Sequence, residues 1–205
     1  MNRFVCVFIL TALAMTAAIP DCEAADLFIL GAGYSSYQES TALVWDPSYY
    51  MTGSYFFDVG AGLQLGLSAS YHFLQPRPAS DLFGVGGYWD APEGDGWMFS
   101  LMPAVRVPFP IGYDGSTLVY LQGGVGWYHL DLDVVYTGTA GIGGEDIENE
   151  VVAKWDRPGI DGRFGVLTRL NGSLFLEISP GISVIFTGGE STWSFNGYVA
   201  VDLSM

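Results

Sequence analysis

Few residues of this chain are suited to chemistry, and their spacing does not organise them into a site. The histidines, His72 and His129, could each serve as a general base or a metal ligand, but neither has a second ligand at a metal-binding spacing. Both are expected to be structural or solvated. The run Glu145-Asp146-Ile147-Glu148-Asn149-Glu150 offers the carboxylate oxygens that hard divalent cations take. No EF-hand or repeat spacing orders it, so it reads as a solvated, mobile loop with cations as diffuse counterions. Gly60-x-Gly62-x-x-x-Gly66 misses the spacing of a dinucleotide fingerprint, and no helical pattern follows it. The expectation is a chain without a catalytic, cofactor-binding or metal site, and without a cofactor.

What holds these residues begins with an export signal. An apolar run from Phe4 to Ile19, broken only by Thr11 and Thr16, follows Arg3 and precedes Pro20. Cys22-Glu23-Ala24 then places small residues three and one positions before a cut after Ala24. This is the layout of a secretory signal peptide, and the run falls short of the ~20 residues a spanning helix needs. Asp21 stands where a lipoprotein would carry a small residue before its cysteine, which argues against lipid attachment at Cys22. The expected organisation is a signal peptide over 1–24 and a single domain over 25–205.

Cleavage would remove both cysteines, Cys6 and Cys22, so packing and backbone pairing must hold the mature chain together. Taking Arg3, Asp21 and Glu23 from the 7 basic and 22 acidic residues leaves a net charge of −14. Nucleic acid and anionic lipid surfaces are poor partners for such a chain. Yet charged residues are only 14% of the sequence and the mean hydropathy is +0.31. An acidic soluble protein usually carries more charge, so part of this surface is expected to face a non-aqueous medium.

After the signal the recurring pattern is alternation with period two, interrupted by Gly, Asp and Asn clusters, which predicts strands. In the last of them Phe195, Val199, Val201 and Leu203 oppose Asn196, Tyr198, Ala200 and Asp202. The same split recurs over 64–74, 97–109 and 174–187, and four further segments, 27–37, 53–62, 117–134 and 157–170, complete eight candidate strands. Connectors alternate between long (38–52, 75–96, 135–156) and short or tight (61–64, 110–116, 171–173). That is the signature of an up-and-down membrane barrel. The phase slips between Trp127 and Leu130, which predicts a bulge or a strand continuing past the membrane. The expected fold is an all-β, eight-stranded antiparallel transmembrane barrel.

Apolar faces turned inward would leave an exterior of Gly, Ser and Ala, a poorly soluble surface. Turned outward they meet lipid, and the small and polar residues fill a lumen just wide enough for side chains. Gly31, Gly33, Gly60, Gly62, Gly66, Gly124, Gly126, Gly165 and Gly181 are then read as lumen packing. On this threading Asp58, Arg106, Arg169, Glu177 and Asp202 point inward near the short turns, where two arginines among three carboxylates should interlock. A three-residue 171–173 turn would set Leu170 opposite Leu174 and Leu167 opposite Glu177, with Arg169 diagonal to Glu177. Trp97, Trp127, Trp155 and Trp193 fall at one level beside the long loops, as an interfacial aromatic belt.

Gly31-Ala32-Gly33, Gly60-Ala61-Gly62, the Gly123-Gly124-Val125-Gly126-Trp127-Tyr128 strand and Leu176-Glu177-Ile178 resemble the small outer-membrane β-barrel family of the OmpA/OmpX type. The resemblance spans the mature chain with loose motifs. It departs at Met205, where the family carries a terminal aromatic residue read by the insertion machinery. The resemblance implies an outer-membrane location in a Gram-negative-type cell, with both termini periplasmic and long loops external. It also implies outer-membrane lipids and the insertion machinery as partners. Lipid A deacylase barrels carry a His-x-Ser pair on an outward strand, whereas His129-Leu130-Asp131 has no serine. The expected function is therefore a non-enzymatic barrel for envelope integrity or surface interaction through acidic loops. A narrow channel comes second and a lipid-modifying enzyme third.

Overall fold

The computed structural model describes residues 26–38, 45–60, 62–76, 87–90, 92–111, 116–140, 145–171, 174–186 and 191–204. The expected signal peptide, its cleavage site and Met205 lie outside the described residues. The strands are β1 (Leu27–Gln38), β2 (Trp45–Gly60), β3 (Leu63–Pro76), β4 (Gly87–Trp89), β5 (Glu93–Ile111), β6 (Thr117–Ala140), β7 (Glu145–Asn171), β8 (Leu174–Phe186) and β9 (Ser191–Ser204). Setting β4 aside, each strand pairs antiparallel with the next along the chain. The ring closes through β1 and β9, from Leu27↔Ser204 to Gln38↔Trp193. The fold is an eight-stranded, antiparallel, up-and-down transmembrane barrel. Closure is what lipid demands, because the ladder then satisfies the backbone polar groups and leaves no edge within the membrane.

Alternation along the strands sorts side chains as the composition requires. Leu30, Leu65, Leu101, Val105, Leu121, Val125, Ile160, Phe164, Ile178, Ile182, Phe195, Val199 and Val201 are all exposed on the outside. Ser54, Ser68, Ser70, Ser100, Ser179, Ser194 and Ala200 are buried within. A continuous apolar exterior over a polar interior is the reverse of a soluble barrel and marks the surface that meets hydrocarbon.

Several expectations need correction. Of the two alternatives near Trp127, the bulge is absent and the strand continues: β6 keeps one register with β7 from Thr117↔Thr168 to Ala140↔Glu145. The apparent slip is a change of environment. Up to Trp127 the outward residues are apolar, as at Leu121 and Val125. Beyond it, the inward residues Leu130, Leu132, Val134 and Tyr136 are apolar and buried, while outward Asp133 is exposed. Above the membrane the outside is water, so the hydrophobic side moves within.

The segment 135–156, expected as a loop, is therefore largely strand. Glu145–Glu150 form the first residues of β7 rather than a mobile acidic loop. Strands β2 and β5 also run longer than expected, and β4, inside the expected 75–96 connector, pairs Gly87–Trp89 with Ala140–Gly138 of β6.

Among the glycines, most fill the predicted role. A Cβ on Gly33 would run into the Tyr50 ring, one on Gly66 into Phe56, and one on Gly165 into Tyr120. Gly60 and Gly62 are the exceptions. They sit at the β2–β3 turn with φ of 86° and 73° and open space around them, so backbone conformation selects glycine there.

Val201 is exposed on the outer face and its neighbour Ala200 is buried. Val201→Arg should therefore lower the stability of the bilayer-folded barrel by ~2–4 kcal/mol if it lies near the midplane. Reversible urea unfolding from vesicles measures it, and an unchanged midpoint would place Val201 away from lipid.

Candidate functional site

The lumen is filled by two layers of charged and aromatic side chains. In the first, Arg106 on β5 and Glu177 on β8 are almost completely buried, with Arg106 Nη1 3.3 Å from Glu177 Oε2. Arg106 also donates from Nε and Nη2 to Gln122 Oε1 on β6, at 3.1 and 2.9 Å. Its guanidinium lies over the rings of Tyr120, at 3.8 Å, and Phe56, at 4.4 Å. The hydroxyls of Tyr120 and Tyr198 both donate to Glu177 Oε1. Burying a charge is costly unless it is paired and hydrogen-bonded, and this pair is both.

The second layer is built on Arg163, which donates from Nε to Asp161 Oδ1 at 2.6 Å. Asp161 Oδ2 accepts from Ser183 Oγ at 2.6 Å, and Ser183 accepts from Asn196 Nδ2 at 2.8 Å. Arg163 also reaches the Tyr50 hydroxyl at 3.4 Å and lies 5.0 Å from the Tyr198 ring centroid, which ties the two layers together. The Tyr50 ring stacks on His72, whose Nδ1 is 2.9 Å from the Tyr37 hydroxyl. His72 is thus a buried structural residue. Above these layers an apolar cluster of Leu74, Met98, Met102, Leu130, Leu132 and Ile185 caps the lumen.

Of the five residues expected to interlock, the structure brings Arg106 and Glu177 together and buries Asp202 beside them. Asp202 pairs with Phe175 in the ladder while Glu177 pairs with Ala200, so the two carboxyls are diagonal neighbours. No hydrogen-bond donor reaches either oxygen of Asp202 among the described residues. The other two are corrections. Asp58 is exposed at the β2–β3 turn, where its Oδ1 accepts from the Gly60 N–H at 2.6 Å. Arg169 is exposed at the end of β7, 5.1 Å over the Phe175 ring, rather than beside Glu177.

Leu167 faces Glu177 and Arg169 faces Phe175, so Arg169 keeps the expected diagonal register and is lost through its height, at the exposed end of β7. A register shift beyond it pairs Asn171 rather than Leu170 with Leu174. The second lumen arginine is Arg163. The alternation that turned Arg169 inward turns Asp161 and Arg163 inward as well, so that signal was present in the sequence. Gln122 stands directly opposite Arg106 in the ladder, and Tyr198 lies on the inward face of β9 beside Glu177's strand, so alternation signals both. Tyr120 has no such signal, because its strand, β6, is not adjacent to β8 and meets Glu177 only through the barrel's curvature.

The four tryptophans do not share one face. Trp127 and Trp193 are exposed on the outside, and Trp97 is half-buried there, stacked on Tyr71 at 5.7 Å. Trp155 leaves the belt: it lies on the inward face of β7 and packs against the apolar cap. His129 faces outward between the rings of Trp97 and Trp127, with Nδ1 2.6 Å from Asp156 Oδ1. This imidazole–carboxylate pair has no hydroxyl hydrogen-bonded to it among the described residues, so a serine-type nucleophile is not in place.

Glu177→Gln leaves the Arg106 guanidinium buried without its counter-charge and should destabilise the barrel by ~3–5 kcal/mol. Arg169→Ala, at an exposed end, should change stability by less than ~0.5 kcal/mol. Equilibrium unfolding from detergent micelles compares the two. Equal effects would mean that the buried pair is not what holds the lumen.

No protein-family model matches this chain, and no curated protein matches it in sequence. Solved structures do. Neisserial surface protein A superposes with a TM-score of 0.61 at 12% identity, covering 88% of this chain and 97% of that one. Ail, the attachment invasion locus protein of Yersinia pestis, solved with the heparin analogue sucrose octasulfate, gives 0.52 at 10% identity over 90% and 100%. A major outer membrane protein of Thermus thermophilus gives 0.52 at 14% identity over 88% and 100%. At such identities the likeness is one of fold, and the fold is that of the small outer-membrane β-barrels.

Proposed function

We propose that this protein is a non-enzymatic barrel of the outer membrane, with its termini periplasmic and the β6–β7 hairpin outside the cell. It works by contact, presenting an acidic surface to a cationic partner. The observation that carries this reading is the length of the hairpin. A tilted strand crosses the bilayer in ~9–11 residues, whereas β6 and β7 have 24 and 27. Their ladder continues to Ala140↔Glu145, so the surplus is an ordered projection with its own apolar interior.

The outward face of the projection is acidic. Glu93, Asp95, Asp133, Glu148, Glu150 and Asp156 are exposed, and Asp95 stands directly opposite Asp133 in the ladder. Lys154, on the same face, is bonded to Asp131 at 2.7 Å, which holds its ammonium pKa above the ordinary lysine range. Opposing like charges destabilise a strand pair, and a cationic partner would relieve that cost. The two lumen layers and the apolar cap leave little room for solutes, which favours contact over conduction. The polyanion bound to Ail is of the opposite charge class to the partner proposed here.

Proteoliposomes of neutral lipid carrying the full barrel should bind a fluorescent lysine decapeptide saturably and more weakly at high salt. Replacing 132–153 by a two-residue Asn-Gly turn between the paired Asp131 and Lys154, which removes Asp133, Glu148 and Glu150, should weaken binding at least tenfold while leaving the barrel folded, as judged by heat-modifiable mobility in electrophoresis. Equal binding by the shortened barrel would overturn this reading.

A further inference from the structure

The projection is finished on only one side. The outermost partner pair between β7 and β8 is Gly159↔Ile185, while the ladder with β6 runs on to Glu145. Residues 145–158 therefore have a strand partner on one side only among the described residues. Pro158, without an N–H to donate, stands where this open edge begins. A second deficit lies on the same strand. The apolar interior of the projection, Leu130, Leu132, Val134 and Tyr136, is flanked along this edge by Val151, Ala153 and Trp155, which remain partly exposed.

Unpaired backbone groups and uncovered apolar side chains at one edge are what an added strand would satisfy together. Charge selects the strand. Glu148, Glu150 and Asp156 line the outward face of this edge, with Lys154 as the one cationic side chain on it. A second copy of the chain would set these carboxylates against their own kind.

We infer that β7 recruits an extended segment of a cationic partner as an additional strand. Basic residues of that segment lie over Glu148, Glu150 and Asp156, and its alternate apolar residues cover Val151, Ala153 and Trp155. This inference rests on the contact function proposed above and specifies how the contact is made. The backbone supplies the affinity, and the alternation of charge and hydrophobicity supplies the selectivity.

The test uses the full-length barrel in neutral-lipid nanodiscs and two carbonyl-¹³C-labelled decapeptides: alternating Lys-Val, and a version of the same charge with proline at every second position. The alternating peptide is expected to bind at least tenfold more tightly. Its labelled carbonyls should take on the infrared signature of a β-strand, and amide exchange should slow within 147–157. Val152→Pro and Ala153→Pro remove neighbouring N–H groups, one of which faces the free edge, and that variant should lose the preference with the barrel intact.

Equal binding of the two peptides, abolished by shortening the hairpin, would overturn strand addition while leaving the acidic contact surface standing. Binding that survives shortening of the hairpin would overturn both. Cross-linking between barrels through Val152→Cys in the absence of peptide would show a second copy at the edge and likewise overturn the inference.

Discussion

Everything in this molecule follows from the need to satisfy backbone hydrogen bonds in a medium that supplies none. Eight strands meet that need by closing from β9 back onto β1, and a ring of eight leaves an interior only as wide as side chains. The lumen must therefore be packed like a protein core, although the residues available to it are small and polar. Large rings are admitted where a neighbouring strand carries glycine, as Tyr50 lies over Gly33 and Tyr120 over Gly165. Charges admitted to the same space have little water to turn to. Arg106 is consequently held by Glu177, Gln122 and two aromatic faces, and Arg163 by Asp161 and Tyr50.

The same constraint explains why the hairpin looks different from the barrel it grows out of. Within the membrane the hydrophobic side of β6 points outward to lipid at Leu121, Val125 and Trp127. Past Trp127 water replaces lipid, and without any change of register the hydrophobic side becomes the inner one at Leu130, Leu132 and Val134. One continuous strand thus serves as a membrane strand below and as a strand of a soluble sheet above. The projection keeps its order because it has a core of its own, and its outer face is free to carry charge.

Much of this was legible in the sequence, and the failures have a common origin. Alternation identified all eight barrel strands and the facing of Leu65, Val105, Ile178 and Val201, because lipid and lumen impose opposite demands on neighbouring residues. It failed where the environment changes along a strand. The inversion after Trp127 looked like a phase slip, and the Glu145–Glu150 strand looked like a loop because its run of charged and amide residues shows no apolar alternation. Facing also says nothing about height in the barrel, which is why Asp58 and Arg169, at exposed strand ends, were grouped with the buried Arg106 and Glu177. Tyr120 could not be found from spacing, since its strand is not adjacent to β8 and it meets Glu177 only after the sheet curls.

The central claim, that β6 exchanges its hydrophobic side from outside to inside without a change of register, is tested by single labels along residues 119–136. Each labelled barrel is exposed in turn to a lipid-soluble and a water-soluble quencher. Lipid quenching is expected at the odd positions through 127, water quenching at the odd positions from 131 onward, and protection from both at 130, 132 and 134. Lipid quenching at 130, 132 and 134 would mean that the strand slips by one residue near Trp127 and that the projection has no core of its own.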